Sequence, residues 1–155
     1  MCIMGLRASA QEIRYAILEN DENGNIVFKN KDTENRIKYP VSLDQIEDKL
    51  QWVKTEIDRI IRINPDIEKI FVKVNEYTGN ESSAKRLAAY IDAIFFLSAK
   101  ENNICIESKL NSQIASTSEK SMQLAETRVG KTDKYWNKTI ADAILAAYWG
   151  VKNGI

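Results

Sequence analysis

Histidine is missing from this chain of 155 residues. That removes Ser-His and Cys-His hydrolases, histidine-ligated zinc and imidazole acid–base schemes. Cysteine is scarce: Cys2 and Cys105 each sit in a short apolar segment. They read as buried free thiols in a reducing compartment, not as a disulfide framework. A thiol nucleophile needs a base beside it, and two thiols alone cannot close a tetrahedral zinc site. No apolar run approaches the roughly 18–20 residues that span a bilayer, so no membrane partner is expected. The opening Met1 to Arg7 carries no basic region and no cleavage site, which fits a cytoplasmic protein. Neither sign of charge is in excess, with 22 basic and 22 acidic residues. A protein dominated by nonspecific phosphate binding is usually basic.

What is present is ordinary globular material, 44% hydrophobic and 28% charged. It predicts one domain over residues 1–155 with a core large enough to need no staple. Charge is uneven. Residues 19–48 hold eight acids and four bases, a net −4 whose role the sequence does not reveal, while residues 49–155 hold a net +3. That leaves room for a local basic face.

Residues 2–7 form an apolar run, and residues 12–19 alternate with Ile13, Tyr15 and Ile17 on one face. The turn cluster at residues 20–25 leads into Ile26-Val27-Phe28, so three strands in series predict an antiparallel meander. After a polar stretch from Asn30 to Pro40, Ser42 and Gln45 have capping-box spacing. Leu43, Ile46, Leu50, Val53, Ile57 and Ile60 then make a helical stripe that ends before Pro65. Residues 70–74 predict a central strand, and Gly79 to Ser83 a break and cap for a well-buried helix through Leu87, Ile91, Ile94 and Phe95. Residues 104–106 predict a fifth strand. Short helices follow near residues 110–114 and Met122. A last helix is expected from about Asp133 to Trp149, stopped by Gly150. The order β-β-β-α-β-α-β-α predicts an α/β domain of RNase H-like type: a mixed five-stranded sheet, meander plus parallel strands, with flanking helices.

Two segments sharpen that expectation. Ile3-Met4-Gly5-Leu6-Arg7-Ala8-Ser9 resembles the first strand of RuvC-type Holliday-junction resolvases, where Ile/Leu-Gly-Ile-Asp-Pro-Gly is usual. Ile140-Ala141-Asp142-Ala143-Ile144-Leu145-Ala146-Ala147 resembles that family's last helix with its Asp-Ala-Leu-Ala pattern. Gly130, Lys131 and Lys134 stand where the family has a Gly- and Lys-containing segment. The chain also resembles a small bacterial family of RuvC-like domains with degenerate acids.

The resemblance implies a site of carboxylates that holds two divalent ions, Mg²⁺ or Mn²⁺, for phosphodiester cleavage. The first-strand aspartate would be its centre, yet Arg7 stands there, and a guanidinium cannot ligate a metal. Glu76 lies one or two residues past the place of the second acid. Asp142 matches the last-helix acid, and Thr139 stands where a further helix acid often occurs. The expectation is therefore a pseudo-nuclease without cofactor, acting by binding a protein or a structured nucleic acid, with self-association as a homodimer open. The alternative is a metal-dependent nuclease using Asp142, Glu76 and a further acid such as Glu12. Arg7, Lys131 and Lys134 would bind phosphate, or Arg7 would pair with Asp142 across the old metal site.

Several other features have structural readings. Gly79-Asn80-Glu81-Ser82-Ser83-Ala84-Lys85-Arg86 reads as a helix cap and lacks P-loop spacing. Arg128, Lys131, Lys134 and Lys138 with Tyr135 and Trp136 read as solvated charge plus core aromatics, although bases mixed with aromatics also suit nucleic acid. Trp52 lies off the helical stripe, and if exposed it would mark a partner surface.

Overall fold

The computed structural model describes residues 1–76, 79–115 and 120–153. In chain order the elements are β1 (Cys2–Ala8), β2 (Glu12–Asn20), β3 (Ile26–Phe28), β4 (Arg36–Lys38), α1 (Ile46–Ile63), β5 (Ile67–Lys73), α2 (Ser83–Glu101), β6 (Cys105–Lys109), α3 (Asn111–Ile114), α4 (Ser121–Arg128) and α5 (Lys138–Asn153). The sheet runs β3-β2-β1-β5-β6, with β4 also on β2. Strands β1 to β4 pair antiparallel, whereas β5 lies parallel to β1 and β6 parallel to β5. This is the mixed sheet expected, with one strand more.

The extra strand, β4, falls inside the stretch read as polar loop. Asn30 makes it fit. Its side-chain amide accepts from the Ile17 N–H at 2.7 Å and donates to the Tyr15 carbonyl at 3.2 Å. One amide thus supplies the pairing that backbone would supply between β3 and β4. Asn35 closes the same loop, donating to the carbonyls of Asn30, Lys31 and Thr33.

Helices cover both faces of the sheet. Met4, Leu6, Ile13, Tyr15, Ile17, Ile70 and Val72 pack with Val53, Ile57 and Ile60 of α1 and Ile91 and Phe95 of α2. On the opposite face Ile3, Ala16, Leu18 and Phe71 pack under α5. Each fully buried isoleucine contributes roughly 1.5–3 kcal/mol. Strand β2, read as one-sided, is buried on both faces through Leu18.

Local expectations fail where tertiary contacts take over. The Ser42–Gln45 box does not form: Leu43 N–H bonds the Pro40 carbonyl in a turn, and α1 begins at Ile46 behind Gln45. Helix α2 is capped by the Ser82 hydroxyl as read, but Tyr90, Phe96 and Leu97 are exposed on it. Trp52 is no partner surface; it packs edge-on against Tyr39, ring centroids 6.3 Å apart. Cys2 is buried, and burial beside Asp66 pushes its thiol up to about 12, whereas Cys105 is exposed. Gly150 does not stop α5, which runs on to Asn153. Its role is space: a Cβ there would come within 2.4 Å of the Phe71 ring.

Among the described glycines, Gly5 marks the tightest approach. A Cβ at Gly5 would lie 1.9 Å from the Ala143 carbonyl oxygen and 2.8 Å from the Ala147 nitrogen of α5. Backbone cannot step aside as a side chain can. Gly5→Ala should therefore destabilise the fold by about 3 kcal/mol or more in urea unfolding.

Candidate anion site at the ends of β1 and β5

The close approach over Gly5 brings α5 down onto Arg7, two residues further along the same face of β1. Arg7 Nε lies 3.5 Å from Asp142 Oδ2, so the pairing foreseen for these residues is present. Lys138, one turn earlier on α5, places its Nζ 2.8 Å from the same oxygen. Asp142 is 1% exposed and its Oδ1 has no hydrogen-bond partner. Arg7 Nη1 also donates to the Lys73 carbonyl at 3.2 Å, which fixes the guanidinium across the β1–β5 seam.

Lys73 is the residue here that sequence reading passed over. It is 3% exposed, and its Nζ donates to the Val74 carbonyl at 2.9 Å and stands 3.8 Å from Glu76 Oε2. Burial pushes its ammonium below the usual lysine range, and Arg7 pushes the same way against the pull of Glu76 and Asp142. The signal was there but weak: Lys73 is the lone charge in the run 70–74 that reads as a central strand. Glu76 is present but engaged, its Oε1 accepting from the Asn111 N–H at 2.8 Å. Asp92, from α2, closes the far side. Its Oδ2 accepts from the backbone and side chain of Asn75, both at 3.0 Å. Burial holds its pKa above the usual carboxylate range despite those bonds and the nearby Arg7 and Lys73.

The donors do not fit a divalent ion. Asp142 Oδ2 is taken by two cations, Glu76 and Asp92 each give an oxygen to backbone amides, and ammonium and guanidinium groups crowd the remainder. Among the described residues no group of three or more His, Cys, Asp or Glu side chains assembles to hold a metal.

Cations continue across the sheet. Register pairs Lys73 with Lys109, Arg7 with Arg14, and Arg14 with Arg36. Five basic residues from five strands thus form one row beneath α5 and the segment before it. Lys109 Nζ sits 3.3 Å from the Trp149 ring centroid and 3.1 Å from Glu107 Oε2. Arg14 is wholly buried. It donates to the Asn35 carbonyl (3.1 Å), Asn35 Oδ1 (2.8 Å), the Tyr135 carbonyl (2.5 Å) and Asn137 Oδ1 (3.5 Å). Glu12, proposed above as a displaced catalytic acid, belongs to this network. It bonds Arg36, accepts from Asn137 Nδ2 at 3.1 Å and lies 3.7 Å from Arg14. Burial opposes its ionisation, but Arg36, Asn137 and Arg14 together hold its pKa below the usual value. Asn137 in turn caps α5 through the Ile140 N–H. The remaining candidates do not converge on Arg7: Lys131 is exposed and pairs with Glu126 at 3.5 Å, and Lys134 lines a separate cavity.

The fold itself, a mixed sheet with flanking helices, is similar to the RNase H-like fold of solved Holliday junction resolvases. A RuvC of T. thermophilus solved in complex with a Holliday junction substrate matches at a TM-score of 0.78 and 9% identity, covering 99% of this chain and 97% of that one. The yeast mitochondrial Holliday junction resolvase Ydc2 matches at 0.64 and 11%, covering 97% and 77%. The fowlpox virus Holliday junction resolvase matches at 0.53 and 13%, covering 98% and 99%. No protein-family model and no curated protein matches the sequence. No helix among the described residues is long and apolar enough to cross a membrane.

Two outcomes follow from the buried charges. Arg14→Met leaves four acceptors without their donor and should cost roughly 3–5 kcal/mol in denaturant unfolding. Asp92 has a raised native pKa, so its contribution is fully present below the unfolded carboxylate value and is lost as pH rises through the native one. Asp92→Asn should therefore gain stability relative to wild type as pH rises from below 4 towards 7, read by paired thermal melts.

Proposed function

We propose that this domain binds the phosphate backbone of a structured nucleic acid at Arg7 and Lys138, over the buried Lys73, and does not cleave it through bound metal ions. The observation that carries the reading is Arg7 beside Asp142, 3.5 Å away, at the place where the resemblance puts a metal-bridging carboxylate. Three cations meet Asp142 and Glu76 there, with Asp92 behind them. Lys138 is 45% exposed and open to a phosphate. The fold is shared with resolvases, two of which are solved on Holliday junction DNA, and this favours a branched duplex as partner.

The test is binding and cleavage on the same substrates: a four-way junction, a duplex and a single strand. Affinity should fall steeply with salt, by a slope of about −0.9 per phosphate neutralised on duplex DNA. Lys138→Ala should lower that slope by about 1. Millimolar Mg²⁺ or Mn²⁺ should neither cut the substrates nor raise the melting temperature, since an ion bound to the native state would stabilise it. Metal-dependent cleavage abolished by Asp142→Asn would overturn the proposal in favour of a nuclease. Absence of salt-sensitive binding would overturn it in favour of a protein partner.

A further inference from the structure

Tyr135 is held in a conformation that a tyrosine rarely adopts. Its φ is +54°, in the left-handed region where a bulky residue is strained by on the order of 1–3 kcal/mol. Such strain persists only where the surroundings over-determine it. Here they do: Arg14, buried beneath, grips the Tyr135 carbonyl at 2.5 Å, and Asn137 two residues on is locked to Glu12 and to the start of α5. The Thr132 hydroxyl bonds the Lys134 carbonyl at 2.9 Å on the other side.

The result of this anchoring is an aromatic ring pushed outward. Tyr135 is 60% exposed although the Arg36 guanidinium lies 4.2 Å from its centroid. A cation covers the ring, yet more than half of the residue stays exposed. The ring borders a cavity of about 370 Å³ whose rim carries Lys31, Lys38 and Lys134 against Asp32, Asp133 and Glu34, the last already paired with Arg59. Those three lysines make no ion pair among the described residues. Arg36 is also an end member of the basic row, so the cavity is tied to Arg7 through the sheet, with the buried Arg14 between them.

We propose that Tyr135, backed by Arg36, is a stacking platform for an unpaired base, and that Lys31, Lys38 and Lys134 hold the flanking phosphates. The proposal rests on the nucleic-acid reading above and names the form of nucleic acid: a strand with at least one base out of the duplex. An aromatic ring stacks on any base and needs no sequence, and a guanidinium on its far face polarises it further.

The experiment compares a short single strand with the same strand made abasic at its central positions, followed by anisotropy, with 2-aminopurine as a second probe. Wild type should prefer the base-bearing strand by about tenfold, since stacking contributes roughly 1–3 kcal/mol per base. It should also quench 2-aminopurine. Tyr135→Phe should keep the preference. Tyr135→Gly should lose it while keeping the salt-dependent affinity for duplex. That variant folds safely, because glycine tolerates the positive φ, and its melting temperature should hold or rise. If wild type binds both strands equally, or if Tyr135→Gly keeps the preference, the platform is overturned and backbone binding at Arg7 stands. If no nucleic acid binds at any salt, both readings fall together.

Discussion

The descent of α5 onto β1 is the constraint from which the rest follows. Gly5 leaves no side chain between them, and Ala143, Ala147 and Gly150 keep the facing side of the helix thin. Backbone packs on backbone, which is why α5 is buried nearly all round. A helix that close carries its polar residues into the same dry layer. Asp142 must ride down with the alanines, and a carboxylate there needs a cation. Arg7 and Lys138 provide two.

The same logic extends sideways. Covering the sheet on both faces takes Arg14, Lys73 and Lys109 out of water and leaves Arg7 and Arg36 only partly exposed. A buried ion pair gives little net stability but is costly to break, so these contacts specify more than they strengthen. Each cation has its acid: Arg7 on α5, Lys73 in the segment just after its own strand, Arg14 and Arg36 in Glu12, Lys109 in Glu107 of its own strand. A fold whose relatives in structure act on nucleic acid here presents a charge lattice where the resemblance implies a carboxylate cup.

Elements governed by repeating apolar pattern were legible in advance: the meander, the α1 stripe, the parallel strands and the body of the last helix, which starts at Lys138 and not near Asp133 because Tyr135 takes a left-handed turn before it. So was the meeting of Arg7 with Asp142, because two short motifs placed them. What escaped was whatever depends on one polar residue meeting another far away. Asn30 and Asn35 look like loop formers until their amides are seen to complete the sheet beside β2. Arg14 sits at an alternate position of its strand, which ordinarily means solvent, and its burial follows only from the segment before α5 folding over it. Gly150 follows a helical run and reads as a terminator; only the Phe71 ring beneath it shows that size, and not flexibility, was the requirement.

The lattice of matched charges has a consequence for how such a sequence can change over time. Removing one member strands its partner in a dry layer, and the two losses do not add, because residues in contact are energetically coupled. Arg7 with Asp142, and Glu12 with Arg14 and Arg36, are therefore expected to drift as linked sets. Among distant homologues these positions should co-vary across elements that lie far apart in the chain, while the apolar positions between them exchange freely among residues of similar volume.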